Sequence, residues 1–379
     1  MRTLSDGGIV YDADERRSME QQAYWNGEEK DRAALRAKLR YPFQLIADFS
    51  ITPPRKHWLI KGIIAEGETS AWIAPPGGMK SALMAQLAFA VSDSRAWHGR
   101  MPSGGIRSVV YFALERADLV RRRLAAHCSR EAMDVEDVGA LPIAVCDRMV
   151  DLTNPLHVKD VLDTINAAAA ETGIPVNLVI FDTFAKLIAA GGGDEQQARD
   201  QGKVFANIQR LKEAIPNLHV AIVGHTGKDE TRGARGSNAI LGDVDVMVQI
   251  SGDTVKTATV IKANDMPEGT LFSFTSATHE FGKDEDGDPI TVNVVSDEEV
   301  SPPERKAREP RLSANEKTVF GILHDAGRSG LALEDWNAAA RDAGIGVKRK
   351  ATLNDIHRSL KSKGMVSDYG GVWTVNHGG

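Results

Sequence analysis

From Trp58 onward, short apolar runs alternate with longer amphipathic stretches, the pattern of strands separated by helices in a largely parallel α/β sheet. Strands are expected over residues 69–74, 107–114, 178–182, 219–224 and 244–250, and helices over 81–93, 117–127, 155–172 and 194–214. Runs at 257–262 and 271–275, separated by Met266-Pro-Glu-Gly, read as a hairpin, and Asp284-Glu-Asp-Gly-Asp as a solvated acidic turn. Residues 1–54 are polar with few apolar anchors and form an arm, helical near 28–39. Residues 296–312 are charged and proline-bearing, a linker between a main domain at 55–295 and a small one at 313–379. The small domain reads as three helices (313–326, 333–343, 352–363) followed by two short strands around a glycine turn. That is the winged-helix order. Ser313 and Glu316 stand at capping-box spacing at its start.

Composition narrows the setting. No run approaches the roughly 18 apolar residues a membrane span needs, and the first residues lack a secretory pattern. The two cysteines, Cys128 and Cys146, suit neither a disulfide framework nor a zinc knuckle. A cytoplasmic protein without membrane partners is expected. The net charge of −6 is uneven: residues 311–379 carry ten Lys/Arg against seven Asp/Glu, a balance of +3, which leaves −9 for residues 1–310. A broad basic face on the main domain is not expected, so nucleic-acid contacts there must come from a few placed residues.

Candidate chemistry gathers at strand ends. Ala74-Pro-Pro76-Gly77-Gly78-Met79-Lys80-Ser81-Ala82 joins an apolar strand to a helix, the setting of a phosphate-binding loop. Gly77 and Gly78 let backbone N–H groups turn to phosphate oxygens, Lys80 reaches the β/γ phosphates, and Ser81 ligates Mg2+. Ala74 and Met79 occupy the two glycine positions of G-x-x-x-x-G-K-[ST], so an ordinary glycine-rich turn stays open on these residues alone. Asn177-Leu-Val-Ile-Phe-Asp182 ends in a carboxylate able to hold Mg2+ or to cap a helix. Ser108-Val-Val-Tyr-Phe-Ala-Leu-Glu115 ends in one able to activate water or to open the next helix. His225 closes a further strand, as a sensor of the γ phosphate or as a structural group.

Together with Trp58-Leu-Ile-Lys-Gly, Trp97-His-Gly-Arg, His225-Thr-Gly-Lys-Asp, Thr231-Arg-Gly-Ala-Arg-Gly-Ser-Asn and Asp243-Val-Asp, these segments resemble the RecA-like AAA-family ATPases of plasmids and phages, the group that includes RepA-type hexameric replicative helicases. The resemblance spans roughly residues 55–275. It implies a RecA-like P-loop core, ATP and Mg2+ as cofactors, a homo-oligomer (a hexameric ring), DNA, expected single-stranded, as partner, and replication proteins as further partners. It implies Lys80, Glu115, Asp182 and His225 as site residues, with Arg232 or Arg235 as a finger toward the neighbouring subunit; solvated loop residues or DNA-phosphate contacts are the other readings of that pair. Lys262 matches a trans-acting basic position, while Asn264 departs from it. Lys348, Arg349, Lys350 and Arg358 on the third helix of the small domain are candidate DNA contacts. The implied function is an ATP-hydrolysing helicase, translocase or DNA-remodelling ATPase of a mobile element; an ATP-gated loading factor and a filament-forming recombination ATPase are the rivals.

Overall fold

In a computed structural model, residues 2–3, 9–10, 13–39, 41–46, 55–226, 242–298, 300, 312–347 and 351–376 are described. The chain divides into two compact units, Met1–Ser301 and Pro302–Gly379.

The first unit opens with a small antiparallel pair, β1 (Arg2–Thr3) and β2 (Ile9–Val10), and helix α1 (Ala13–Ala37). The expected arm helix near 28–39 thus begins much earlier. It is rich in Ala, Glu, Arg, Gln and Lys, and that propensity carries a helix through Asn26 and Gly27 where no apolar face marks one. A short ribbon, β3 (Trp58–Ile60) with β4 (Ile64–Ala65), leads into the main sheet.

That sheet comprises β5 (Thr69–Ala74), β6 (Ser108–Ala113), β7 (Ile143–Cys146), β8 (Val176–Asp182), β9 (His219–His225), β10 (Val246–Ser251), β11 (Lys256–Ala263) and β12 (Gly269–Phe274). Its spatial order is β12-β11-β10-β5-β9-β8-β6-β7. From β10 to β7 every pairing is parallel; β11 and β12 add an antiparallel edge. The sequence supplied one strand between the phosphate loop and Asp182, whereas two are present: the half-buried edge strand β7, Ile-Ala-Val-Cys, is apolar but only four residues long, too short a run to mark a strand by itself.

Helices cover both faces. Trp72, Tyr111, Ala113 and Ile180 face α2 (Lys80–Ser92) and α3 (Ala117–Arg130). Ile73, Phe112, Phe181 and Ile222 face α5 (Leu156–Thr172), α6 (Phe184–Ala189) and α7 (Ala198–Ala214). Successive strand residues go to opposite layers, so a strand buried on both sides reads as uniformly apolar. The short α4 (Val135–Ala140) is capped by the Asp134 side chain, which accepts from Asp137 N. The helix expected over 194–214 starts at Ala198; Asp194 and Glu195 belong to the preceding turn, tied to Asp200 and Gln201. The acidic turn at 284–288 joins β13 (Ser276–Lys283) to β14 (Pro289–Val295), a hairpin not anticipated, and β14 packs on α2 and α3.

The second unit holds helices Ala314–Asp325, Leu333–Asp342 and Ala351–Ser362 with three short strands, β15 (Leu331–Ala332), β16 (Val366–Tyr369) and β17 (Val372–Val375), ordered β15-β17-β16. The capping box between Ser313 and Glu316 is formed. Trp336 is fully buried among Val319, Leu323, Leu353 and Leu360, and its Nε1 donates to Val319 O at 2.8 Å. Strand β15, between the first two helices, was absent from the sequence expectation; two residues carry no periodicity.

Candidate active site at the carboxyl edge of the sheet

Parallel pairing places the carboxyl ends of β5, β6, β8 and β9 on one edge. Ala74 lies beside His225, Ala113 beside Asp182, and Asp182 beside Val223. That edge of an open α/β sheet is where ligands bind. It carries a cavity of about 270 Å³ lined by Pro76, Gly77, Gly78, Met79, Lys80 and Ser81 of the loop, by Glu115, Asp182, Thr183 and His225, and by Arg116 and Arg123 of the α3 region. Ala82, grouped with the binding residues on sequence, does not line it; its side chain turns into the core on the buried face of α2.

The loop geometry accounts for both departures from the glycine pattern. Met79 has φ +62°, the left-handed region that favours glycine, so methionine here holds a glycine's conformation at a cost of roughly 1–2 kcal/mol. At the first glycine position Ala74 is accommodated because its neighbour across the loop is Gly78. A Cβ on Gly78 would stand 2.5 Å from the Ala74 Cβ.

Lys80 is buried, and its Nζ donates to Ala74 O at 3.0 Å and Pro75 O at 3.2 Å, with His225 Nδ1 at 3.4 Å. Burial lowers its pKa, opposed by the charges of Asp182 and Glu115. Asp182 is 5% exposed, and burial raises its pKa; hydrogen bonds from Ser81 and Tyr111 oppose that shift. The Tyr111 hydroxyl donates to Asp182 Oδ2 at 2.8 Å, and its own ionisation is pushed well up by burial. The Thr183 hydroxyl donates to Glu115 Oε1 at 2.9 Å. Arg123, half-buried with a lowered pKa from desolvation, donates to Asn293 O at 3.2 Å.

Sequence reasoning missed Tyr111, Thr183, Arg116 and Arg123. Only Tyr111 left a signal: a tyrosine inside a core strand needs a partner for its hydroxyl. Ser81 and Asp182 fit Mg2+: a hydroxyl and a carboxylate, hard oxygen donors that both line the cavity beside the lysine.

Other candidates lie elsewhere. Lys262 pairs with Met247, at the end of the sheet away from the phosphate loop, and its Nζ donates to Val244 O. It does not line this chain's own cavity. Arg358 is exposed and 3.8 Å from Asp355. Arg232, Arg235, Lys348, Arg349 and Lys350 fall outside the described residues. No described helix is long and apolar enough to cross a membrane.

No curated protein matches the chain. A family model described as an AAA domain, AAA_25, matches residues 35–231, over half of the sequence and all of the cavity's loop and strand-end residues. The chain therefore belongs to that family of RecA-like P-loop ATPases, NTP-hydrolysing enzymes that use ATP and Mg2+.

Proposed function

We propose that this chain is an oligomeric, ring-forming ATPase that acts on DNA, a helicase, translocase or DNA-remodelling enzyme in the replication of a mobile element. The observation that carries the catalytic half is the convergence of Lys80, Ser81, Asp182, Glu115 and His225 on one cavity. Lys80 now spends its charge on two neutral carbonyls, weak partners for an ammonium group, which ATP phosphates would replace. Mg2+, held by Ser81 and Asp182, would offset the charge of the β and γ phosphates. Glu115 takes a proton from water as the water oxygen bonds to the γ phosphorus; the bond from that phosphorus to the β–γ bridging oxygen breaks, leaving ADP and phosphate. His225, beside Lys80, is placed to sense the γ phosphate and to pass its loss to the segment that follows.

The DNA half rests on the resemblance of residues 55–275 to plasmid and phage ATPases and on the second unit. Its order, with a short strand after the first helix and a terminal hairpin, suits a winged-helix domain. Arg358 stands exposed on the third helix, where such domains meet DNA. Arg232 or Arg235 would complete a neighbour's site, and Lys262, remote from its own cavity, suits a contact in trans.

An ATPase assay with and without single-stranded DNA, followed by strand displacement, tests this function. DNA-stimulated turnover with unwinding, and closed rings in particle images with ATP, are expected. Hydrolysis without displacement would replace the motor with an ATP-gated loading factor, and open helical filaments would replace the ring with a recombination-type assembly.

A further inference from the structure

Two carboxylates at the cavity are each held by a hydroxyl from the neighbouring strand, and the arrangement is reciprocal. Tyr111 on β6 donates to Asp182 at the end of β8, and Thr183, just past β8, donates to Glu115, just past β6. The strands are in register there, with Ala113 beside Asp182 and Leu114 N donating to Asp182 O at 2.8 Å.

Thr183 is the less expected member. It stands at the N-cap of α6, where a threonine hydroxyl ordinarily satisfies a backbone N–H of the first turn, yet it makes no such cap. The hydroxyl goes to Glu115 instead, although Thr183 is 3% exposed and Glu115 is exposed. Its platform is rigid. Thr183 O accepts from Lys186 N at 3.1 Å, Phe184 packs on Phe205 with ring centroids 5.5 Å apart, and Leu187 O accepts from Leu152 N. A β-branched side chain on that platform has little rotamer freedom to lose.

We propose that Thr183 is the positioning residue for Glu115, fixing Oε1 so that Oε2 is the oxygen that receives the proton of the attacking water. The proposal rests on Glu115 being the general base. Positioning of this kind acts on the reacting geometry and not on nucleotide affinity, and misplacement of a reacting group by about 1 Å costs up to roughly 10²-fold in rate.

The test measures steady-state ATP hydrolysis, nucleotide binding and thermal melting in the full chain. Thr183→Val keeps the shape and removes the donor; its kcat should fall roughly 10–10²-fold while KM and the melting temperature hold. Thr183→Ser, which restores the hydroxyl, should recover most of the rate. In a Glu115→Gln background the valine change should cost nothing further, because the base it positions is already gone. Should Thr183→Val not fold, Thr183→Ala takes its place with the same expectations. A kcat for the hydroxyl-free variant equal to or above the wild-type value would overturn the proposal, as would an equal loss in Thr183→Ser. Full turnover in Glu115→Gln alone would instead overturn the assignment of Glu115, a separate result.

Discussion

The cavity of the first unit and the core of the second both bury ionisable groups, and they treat them in opposite ways. Lys80 and Asp182 are each shifted toward their neutral forms, because burial outweighs the partners that this chain supplies. Glu316 in the second unit is shifted the other way, to about 2. Lys363 Nζ and Ser359 Oγ each reach its Oε1 at 2.6 Å, and Ser313 N donates to Oε2 at 2.7 Å. Full compensation pins the helix that carries Glu316 to the helix Ala351–Ser362 and closes the first helix's own capping box; incomplete compensation marks where a charged ligand belongs. Both are charged residues in a folded interior, and only the balance of donors and desolvation separates a site from a staple.

The largest expected effect falls on the under-compensated side. Lys80→Ala should lower ATP turnover by at least roughly 10²–10³-fold and weaken nucleotide binding, while the melting temperature without nucleotide holds or rises. A loss of folding equal to the loss of activity would make Lys80 a structural residue like Glu316.

Acid sharpens the contrast. Burial pushes His98, His127 and His219 down to about 4 from the usual 6.5. His219 is fully enclosed, its Nε2 2.8 Å from Ser70 Oγ and its Nδ1 2.6 Å from Ala65 O. The fold keeps these rings neutral while the unfolded chain protonates them below 6.5. Stability of the first unit is therefore complete above 6.5 and is lost as pH falls toward 4, by up to about 1.4 kcal/mol per pH unit for each such histidine. Glu316 contributes above its usual 4.5 and loses that contribution only as pH falls toward 2. Denaturant melts between pH 4 and 7 would reveal the first slope.

Smaller effects come from local geometry. Ser313→Ala removes the hydroxyl that accepts from Glu316 N, and should cost about 0.5–2 kcal/mol in the second unit without changing basal ATPase activity. Met79→Gly relieves a left-handed methionine but also removes a side chain packed against the core and adds glycine's unfolded-state entropy, so stability should change by no more than about 1 kcal/mol and turnover should persist. Chemical denaturation resolves both.

The contrast was only partly legible in the sequence. Strand ends follow from hydrophobic runs, and parallel topology puts every such end on one edge, so Lys80, Ser81, Glu115, Asp182 and His225 could be brought together from their positions alone. The hydroxyls of Tyr111 and Thr183 could not, because their partners depend on register between β6 and β8, which apolar strands leave unmarked. The burial of the Ala82 side chain was not legible either, because adjacency in sequence says nothing of which way a helix's third residue turns. The Glu316 cap was readable from its three-residue spacing, but its bond to Lys363 spans 47 residues and arises only when the helices pack.

Glu115→Gln tests most directly whether the carboxyl edge of the sheet is a catalytic centre. The amide keeps the side chain's shape and its place beside Thr183 while removing the base. Mg2+-dependent ATP binding and single-turnover hydrolysis, measured on the same preparation, should show affinity within a few-fold of the wild type and a rate lower by roughly 10²–10⁴-fold. Undiminished hydrolysis, or loss of binding together with loss of folding, would contradict the assignment and leave Glu115 a structural acid at the start of α3.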